Sequence, residues 1–362
     1  MSRFASVVLL HASLVHHDRV FTYSLPDEVD AHVGSLVRVP LGRRKTTGIV
    51  MELLDEADVA RVLPVERTLG PGLDEGTVSL ARWVAERYLS TLGEALVAAL
   101  PARVASEESA VHSPGPPFER ASPRPPGPYV GLIAGHGHAG FSLRTAPTPE
   151  RGRILADLAA SQVSQGRGAL ILLPEVRVRS EIAGAIETEF GDAVAWLGTD
   201  RSERDRYRAW LDLRAGARSV ACGGRAAVFA PVRNLGMVIV DDEAHVSYKE
   251  RRAPRFHART VAAERARRAG ATLVAVGVPP SIEVAAAVTS KRMTDVVVPD
   301  AVPRPPVRVV DLATNPERLL PSGRSIDAGA AAIREGARVV VLTHRGGDQP
   351  ARLLDRAART MR

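Results

Sequence analysis

The sequence predicts a mixed α/β protein in two parts, a small β-rich domain in front and a parallel α/β lobe behind it. Three observations carry this. Residues 4–53 alternate apolar and polar over short runs jointed by glycine and proline. A proline-rich stretch then breaks the chain at 101–128. Beyond it, short apolar runs rich in valine, leucine and isoleucine alternate with helical spacing.

Each element follows in order. The apolar run from Phe4 to Leu10 reads as a first strand. Phe21–Pro26, Val33–Pro40 and Thr47–Leu53 read as three more, with β-branched and aromatic residues inside and Gly or Pro at the joints. Asp74–Leu100 switches to helical spacing. There Val78, Leu80, Ala81, Val84, Ala85, Tyr88 and Leu89 line one side, and Pro101 ends the stretch. Ser113–Pro117 and Ser122–Pro128 cannot hold a helix or a central strand, so an extended, semi-rigid linker is expected over 103–128. It separates a domain at 1–102 from a lobe at 129–342. Tyr129–Ile133 is expected to open that lobe as its first strand. Ala169–Leu173, Met237–Val240, Thr272–Val276, Val307–Val310 and Val339–Leu342 follow as further buried strands.

Composition narrows the function class. The 362 residues carry 45% apolar and 25% charged side chains, as in a globular protein, and contain no apolar run of the length that crosses a bilayer. The N-terminus shows no signal-peptide cleavage site, so a cytoplasmic protein is expected. Cys222 is the one cysteine, which excludes an internal disulfide and a cysteine-based zinc site. Net charge is +7, and only Lys45, Lys249 and Lys291 among 48 basic residues are not arginine. Such a chain is drawn to polyanions, although arginine usage alone also fits a coding bias.

Two places carry candidate chemistry. Val238–Val240 runs into Asp241-Asp242-Glu243-Ala244-His245, and acidic residues at the tip of a buried parallel strand sit where ligands bind in α/β sheets. In nucleotide-hydrolysing lobes one such carboxylate holds magnesium and another orients water. An acidic strand end capping the next helix is the plainer reading. The phosphate cradle that should accompany it is expected after Ile133, where Gly135, Gly137 and Gly140 form a glycine-rich loop with His136 and His138. No lysine follows that loop, and no Lys-Ser or Lys-Thr pair occurs anywhere. Two histidines without further ligands are a weak metal signal, and His11, His16 and His17 read as surface residues. The second place is Gly42 with Arg43, Arg44 and Lys45, a glycine turn where backbone and basic side chains can meet a nucleotide. Phe21 and Tyr23 offer faces on which a base can stack. A solvated hairpin beside a core aromatic pair is the equally weighted alternative.

These residues resemble a known family. Asp18–Pro26, Val37–Lys45 and Thr47–Val50, with Trp83–Leu89, Gly93–Leu96 and Leu100-Pro101, are similar to the DNA 3′-end-binding domain of the PriA (primosomal protein N′) family. That resemblance implies a pocket for a 3′-terminal nucleotide at Phe21, Thr22, Gly42 and Arg61. Thr22 stands where some members carry an acid. Gly224–Pro231, Asn234–Gly236, Ser247–Glu250, Pro254–Arg259 and Pro279–Glu283 resemble the family's first RecA-like helicase lobe. The family's phosphate-loop motif has no counterpart, Gly277-Val278-Pro279 lacks the hydroxyl residues usual at motif III, and the proline-rich linker stands in place of a winged-helix segment. Thr343–Gly347 resembles the start of a second lobe, expected over 343–362 and incomplete.

The resemblance implies a DNA-binding protein of replication restart that recognises branched DNA. Its partners would be single-stranded-DNA-binding protein and primosome components. Asp241, Asp242 and Glu243 would be relics of a magnesium site. The family's cofactors are ATP and magnesium; the missing lysine argues against both, and zinc is not expected. The rival reading is a working ATP-dependent 3′-to-5′ helicase.

Overall fold

The computed structural model describes residues 3–57, 62–109, 113–115, 118, 127–134, 139–145, 149–174, 180–298, 323–336 and 359. The chain divides into two compact units, 1–300 and 301–362. The second unit contributes one described helix, α9 (Gly323–Arg334). The expected strands at Val307–Val310 and Val339–Leu342 and the segment at 343–347 lie outside the described residues.

The first unit opens with a small barrel. Strands β1 (Phe4–Leu9), β2 (Val20–Ser24), β3 (Leu36–Leu41) and β4 (Arg44–Leu54) are joined by β5 (Leu63–Pro64) and β6 (Arg67–Thr68) in the order β5-β2-β1-β4-β3-β6. The last two strands are too short to show in a hydrophobic pattern, yet they close the sheet. β5 pairs with β2, β6 pairs with β3, and Val65 and Glu66 between them donate to the carbonyls of Ser24 and Arg38, both at 2.9 Å. Closure removes the free edges that short strands would expose.

Alternation along the strands sorts two cores. Ala5, Val7, Leu9, Tyr23, Val37, Val39, Val50 and Val65 fill the barrel. Val8, Leu36, Ile49 and Met51 face outward beneath α1 (Glu75–Tyr88) and α2 (Leu92–Ala99). Asp74 caps α1 by accepting from the Thr77 amide, and Thr91 and Glu94 form a capping box on α2. Inside the barrel the Tyr23 hydroxyl donates to the Pro40 carbonyl at 2.9 Å, tying β2 to β3 across the lumen. Tyr23→Phe is expected to cost about 1 kcal/mol of stability, read by urea denaturation. An unchanged midpoint would show that this tie is not needed.

The lobe follows. Its sheet contains β7 (Gly140–Arg144), β8 (Gly168–Leu172), β9 (Val194–Trp196), β10 (Val220–Gly223), β11 (Leu235–Val240), β12 (Thr272–Val276) and β13 (Thr294–Val297). The order is β13-β7-β12-β11-β8-β10-β9, and every pairing is parallel. β8 and β11 are buried along their whole length, as strands covered on both faces must be. One face carries α3 (Pro128–Ala134), α4 (Pro149–Val163) and α5 (Glu181–Phe190). The other carries α6 (Glu203–Ala215) and α7 (Ala258–Ala269), and α8 (Ile282–Thr289) leads into β13. This is the sheet with flanking helices expected of a RecA-like lobe.

Tyr129–Ile133 corrects the sequence reading, because it is helical and not the lobe's first strand. Pro128 is preorganised for the first position of a helix, and Val130 and Ile133, three residues apart, are buried together. The first strand is Gly140–Arg144.

The barrel and the lobe share one core. A single apolar cluster runs from Val8 and Ile49 through α1 and α2 to Trp210, Phe229 and Val261. The Tyr88 hydroxyl accepts from the His257 amide at 3.1 Å, and the Lys249 ammonium lies 5.4 Å from the Tyr88 ring centre. The front of the proline-rich stretch is anchored as well. Glu107 is buried against Arg204 and Arg208, at 3.0 and 2.7 Å, and Glu108 joins Arg103 and the Tyr207 hydroxyl, each at 2.6 Å.

Candidate nucleic-acid interface and nucleotide site

The barrel mouth brings part of the predicted DNA pocket together. β2 begins at Val20, which pairs with Val8, while β1 ends at Leu9, which pairs with Gly48. The β3–β4 hairpin therefore projects past β1 at the end of the barrel where β2 begins. Phe21 and Leu41 both pack partly exposed against the interior cluster at this end. Leu41 pairs with Arg44, so Gly42 and Arg43 form the turn at the tip. Gly42 has φ +61°, which favours glycine, and nothing lies within 4 Å of where a side chain would begin. The tip thus offers open backbone beside exposed Arg43 and Arg44 and a half-exposed aromatic ring.

Other predicted members are placed elsewhere. Thr22 alternates onto the opposite side of β2 from Phe21. Tyr23 is buried with its hydroxyl engaged, so it presents no stacking face. Lys45 is exposed but paired with Glu66 at 2.9 Å. Arg61 lies outside the described residues. His16 pairs with Glu94 at 2.7 Å, and the Asp18 carboxylate accepts from the Leu92 amide at 2.9 Å. Those two side chains pin the β1–β2 loop to the start of α2.

The acidic strand tip has the expected position and an unexpected occupant. Asp241 and Glu243 follow β11, and their amides donate to the carbonyls of Leu172 and Val276 at the tips of β8 and β12, both at 2.9 Å. Arg151, in the first turn of α4, places its Nε 2.6 Å from an Asp241 carboxylate oxygen. Both side chains are buried, at 6% and 4% exposure. Burial raises the Asp241 pKa, the Arg151 charge opposes that, and Asp242 adds to it. The Tyr248 hydroxyl lies 2.9 Å from the Leu172 carbonyl and 2.6 Å from that of Asp241, locking the tip from beneath.

Glu243 is equally committed. One carboxylate oxygen accepts from the Ser281 amide at 2.5 Å and the other from Arg259 at 2.6 Å; Arg259 also reaches Glu283 at 3.1 Å. Asp242, at φ +44°, is the partly exposed acid of the three. No group of three or more potential metal ligands occurs among the described residues.

Of the predicted phosphate-loop glycines, only Gly140 lies among the described residues, and it stands away from the acidic tip. In parallel sheets the cradle lies at the carboxyl end of the first strand. Gly140 instead opens β7 and pairs with Leu273, at the opposite edge of the sheet from Asp241. Gly135 and Gly137 lie outside the described residues. The connection that leaves β7 toward α4 reads Thr145-Ala146-Pro147-Thr148-Pro149-Glu150-Arg151, without glycine and with two prolines that cannot donate an amide. Arg151, Arg259, Tyr248 and Ser281 were missed by the sequence reading. Placing the first strand at Gly140–Arg144 would have drawn attention to Arg151, because it lies in the first turn of the next helix, where phosphate-loop motifs in general carry their lysine.

Comparison with known proteins agrees with this architecture. Residues 7–101 match the family description of the PriA 3′DNA-binding domain (3′BD). The chain is 31% identical over 366 residues to the probable replication restart protein PriA of Mycobacterium tuberculosis (strain H37Rv), covering 94% of this chain and 55% of that protein. It is 27% identical over 354 residues to the replication restart protein PriA of Treponema pallidum, covering 91% and 53%. It is 32% identical over 121 residues to that of Bacillus subtilis, covering 33% and 15%. The chain spans about half the length of the first two relatives. A matched front domain, an alignment running through the lobe behind it and a parallel sheet of the expected kind agree on one assignment: the chain belongs to the PriA family.

Proposed function

We propose that this chain binds branched DNA in replication restart, holding a 3′ terminus at the barrel mouth, and that it does so without helicase activity. One observation carries the DNA reading. Phe21 stands half-exposed at the same end of the barrel as the hairpin tip of Gly42, Arg43 and Arg44. A base can stack on the ring while arginines and open backbone amides meet the phosphate beside it. Single-stranded-DNA-binding protein and primosome components are the partners this role implies, in the cytoplasm.

The second half of the proposal rests on the strand tip. The residues present do not fit a magnesium nucleotide. Asp241 would supply the metal contact, but it is neutralised by a buried guanidinium. Glu243 would orient water, but it is 1% exposed with both oxygens engaged. The connection leading to Arg151 has two prolines where a phosphate cradle needs amide donors.

An ATPase assay on forked DNA, run beside a strand-displacement assay, tests this directly. Neither activity is expected, and turnover of about 1 per second or faster would restore the helicase reading. Binding to forks with a free or a blocked 3′ end tests the DNA half. A scaffold for other proteins would show no preference between them.

A further inference from the structure

A second basic site lies away from both the barrel mouth and the acidic tip. A cleft of about 570 Å3 opens between the start of α1 and the lobe. Arg214 at the end of α6, Arg233 before β11, and Arg265 and Arg268 near the end of α7 line it. Asp74 is the one carboxylate in that lining, and it is occupied as the α1 cap, accepting from the Thr77 amide and hydroxyl at 2.8 and 2.9 Å. Only Arg268 of the four is ion-paired among the described residues, with Glu264 at 2.6 Å.

The other three guanidiniums hydrogen-bond to or stack on neutral groups, and Asp74 is the nearby charge that offsets part of the burial of Arg214 and Arg265. Arg265 donates to the Val228 and Ala230 carbonyls, and Arg233 to the Ala215 carbonyl at 3.0 Å. Arg214 lies 5.8 Å from the Trp210 ring centre. Loss of hydration pulls Arg265 down to about 10 and lowers Arg214 as well. Four guanidiniums and one carboxylate line the cleft, so it carries a net positive charge that favours an anion.

We propose that this cleft binds the phosphodiester backbone of a duplex DNA arm. Two features favour backbone over a free nucleotide. The lining contains no aromatic residue on which a base can stack. The cleft also sits at the start of β11, about 20 Å along the strand from Asp241, so it is not part of the nucleotide site. The proposal rests on the DNA-binding reading above, but its signature is separate, because phosphate contacts are read in the salt dependence and not in 3′-end preference.

The test is fluorescence anisotropy of the full chain with forked DNA, titrated over a range of salt. Arg214→Ala with Arg233→Ala is expected to weaken binding by about tenfold and to reduce the salt slope by about two. Preference for a free over a blocked 3′ end should persist. Arg214→Lys with Arg233→Lys, which keeps the charge, should recover most of the affinity, so a merely misfolded alanine variant is distinguished. Arg153→Ala, at an exposed position of α4, should change little. An unchanged slope in the alanine variant would overturn the proposal. So would loss of fluorescent ATP-analogue binding with fork affinity intact, since the anion would then be a free nucleotide. If instead the slope falls but no variant or wild-type chain distinguishes 3′ ends, the cleft stands and the barrel-mouth reading fails.

Discussion

Asp241→Ala is expected to lower stability by about 3–5 kcal/mol while leaving ATP turnover at background. In a working motor the same substitution removes a metal ligand, so activity falls and the fold is largely spared. Here the carboxylate is the counter-ion of Arg151, a residue of 5% exposure whose Nη2 has no hydrogen-bond partner among the described residues. Removing Asp241 leaves a buried, uncompensated cation. The pair itself adds little net stability, because two desolvated charges roughly cancel their attraction. Arg151→Met with Asp241→Leu should therefore recover most of the loss. Urea denaturation of the three proteins reads the stability, and a coupled assay reads turnover. A single variant as stable as the wild type, or a wild type whose turnover the variant abolishes, would remove the basis for a motorless chain.

Phe21→Ala should weaken binding to forks with a free 3′ end by about five- to 150-fold, the range set by 1–3 kcal/mol of base stacking. Binding to the same fork with a blocked end should change far less. The barrel should survive, because Phe21 only borders the interior cluster and the Tyr23–Pro40 bond stays in place. Anisotropy on the two forks gives the answer. Equal losses on both would mean that Phe21 supports the barrel without reading the terminus.

Some of this architecture was legible in the chain. β8, β11 and β12 are nearly continuous apolar runs, and such runs can only be buried strands or buried helices. β7 was not legible, because Ser142 interrupts it and Arg144 ends it. Tyr129–Ile133 is an apolar run short enough to fit either structure, and tertiary packing decided for a helix. At the site, Asp241 and Glu243 were visible as strand-tip acids. Their partners were not, since Arg151 lies 90 residues earlier and Arg259 16 residues later. Pairing at such separations is a product of topology and leaves no local pattern. The hairpin turn at Gly42 could be read, whereas the sidedness that parts Thr22 from Phe21 needed the register.

The shared core beneath α1 has a mechanical meaning. Tyr88, His257 and a continuous apolar seam fasten the barrel to the lobe, so the two move as one body. The span from the barrel mouth to any other DNA contact on the first unit is then a fixed length. If the proposed end capture holds, such a chain would gauge its target as a calliper does, accepting junctions whose arm leaves the captured end at one angle and refusing those that splay otherwise.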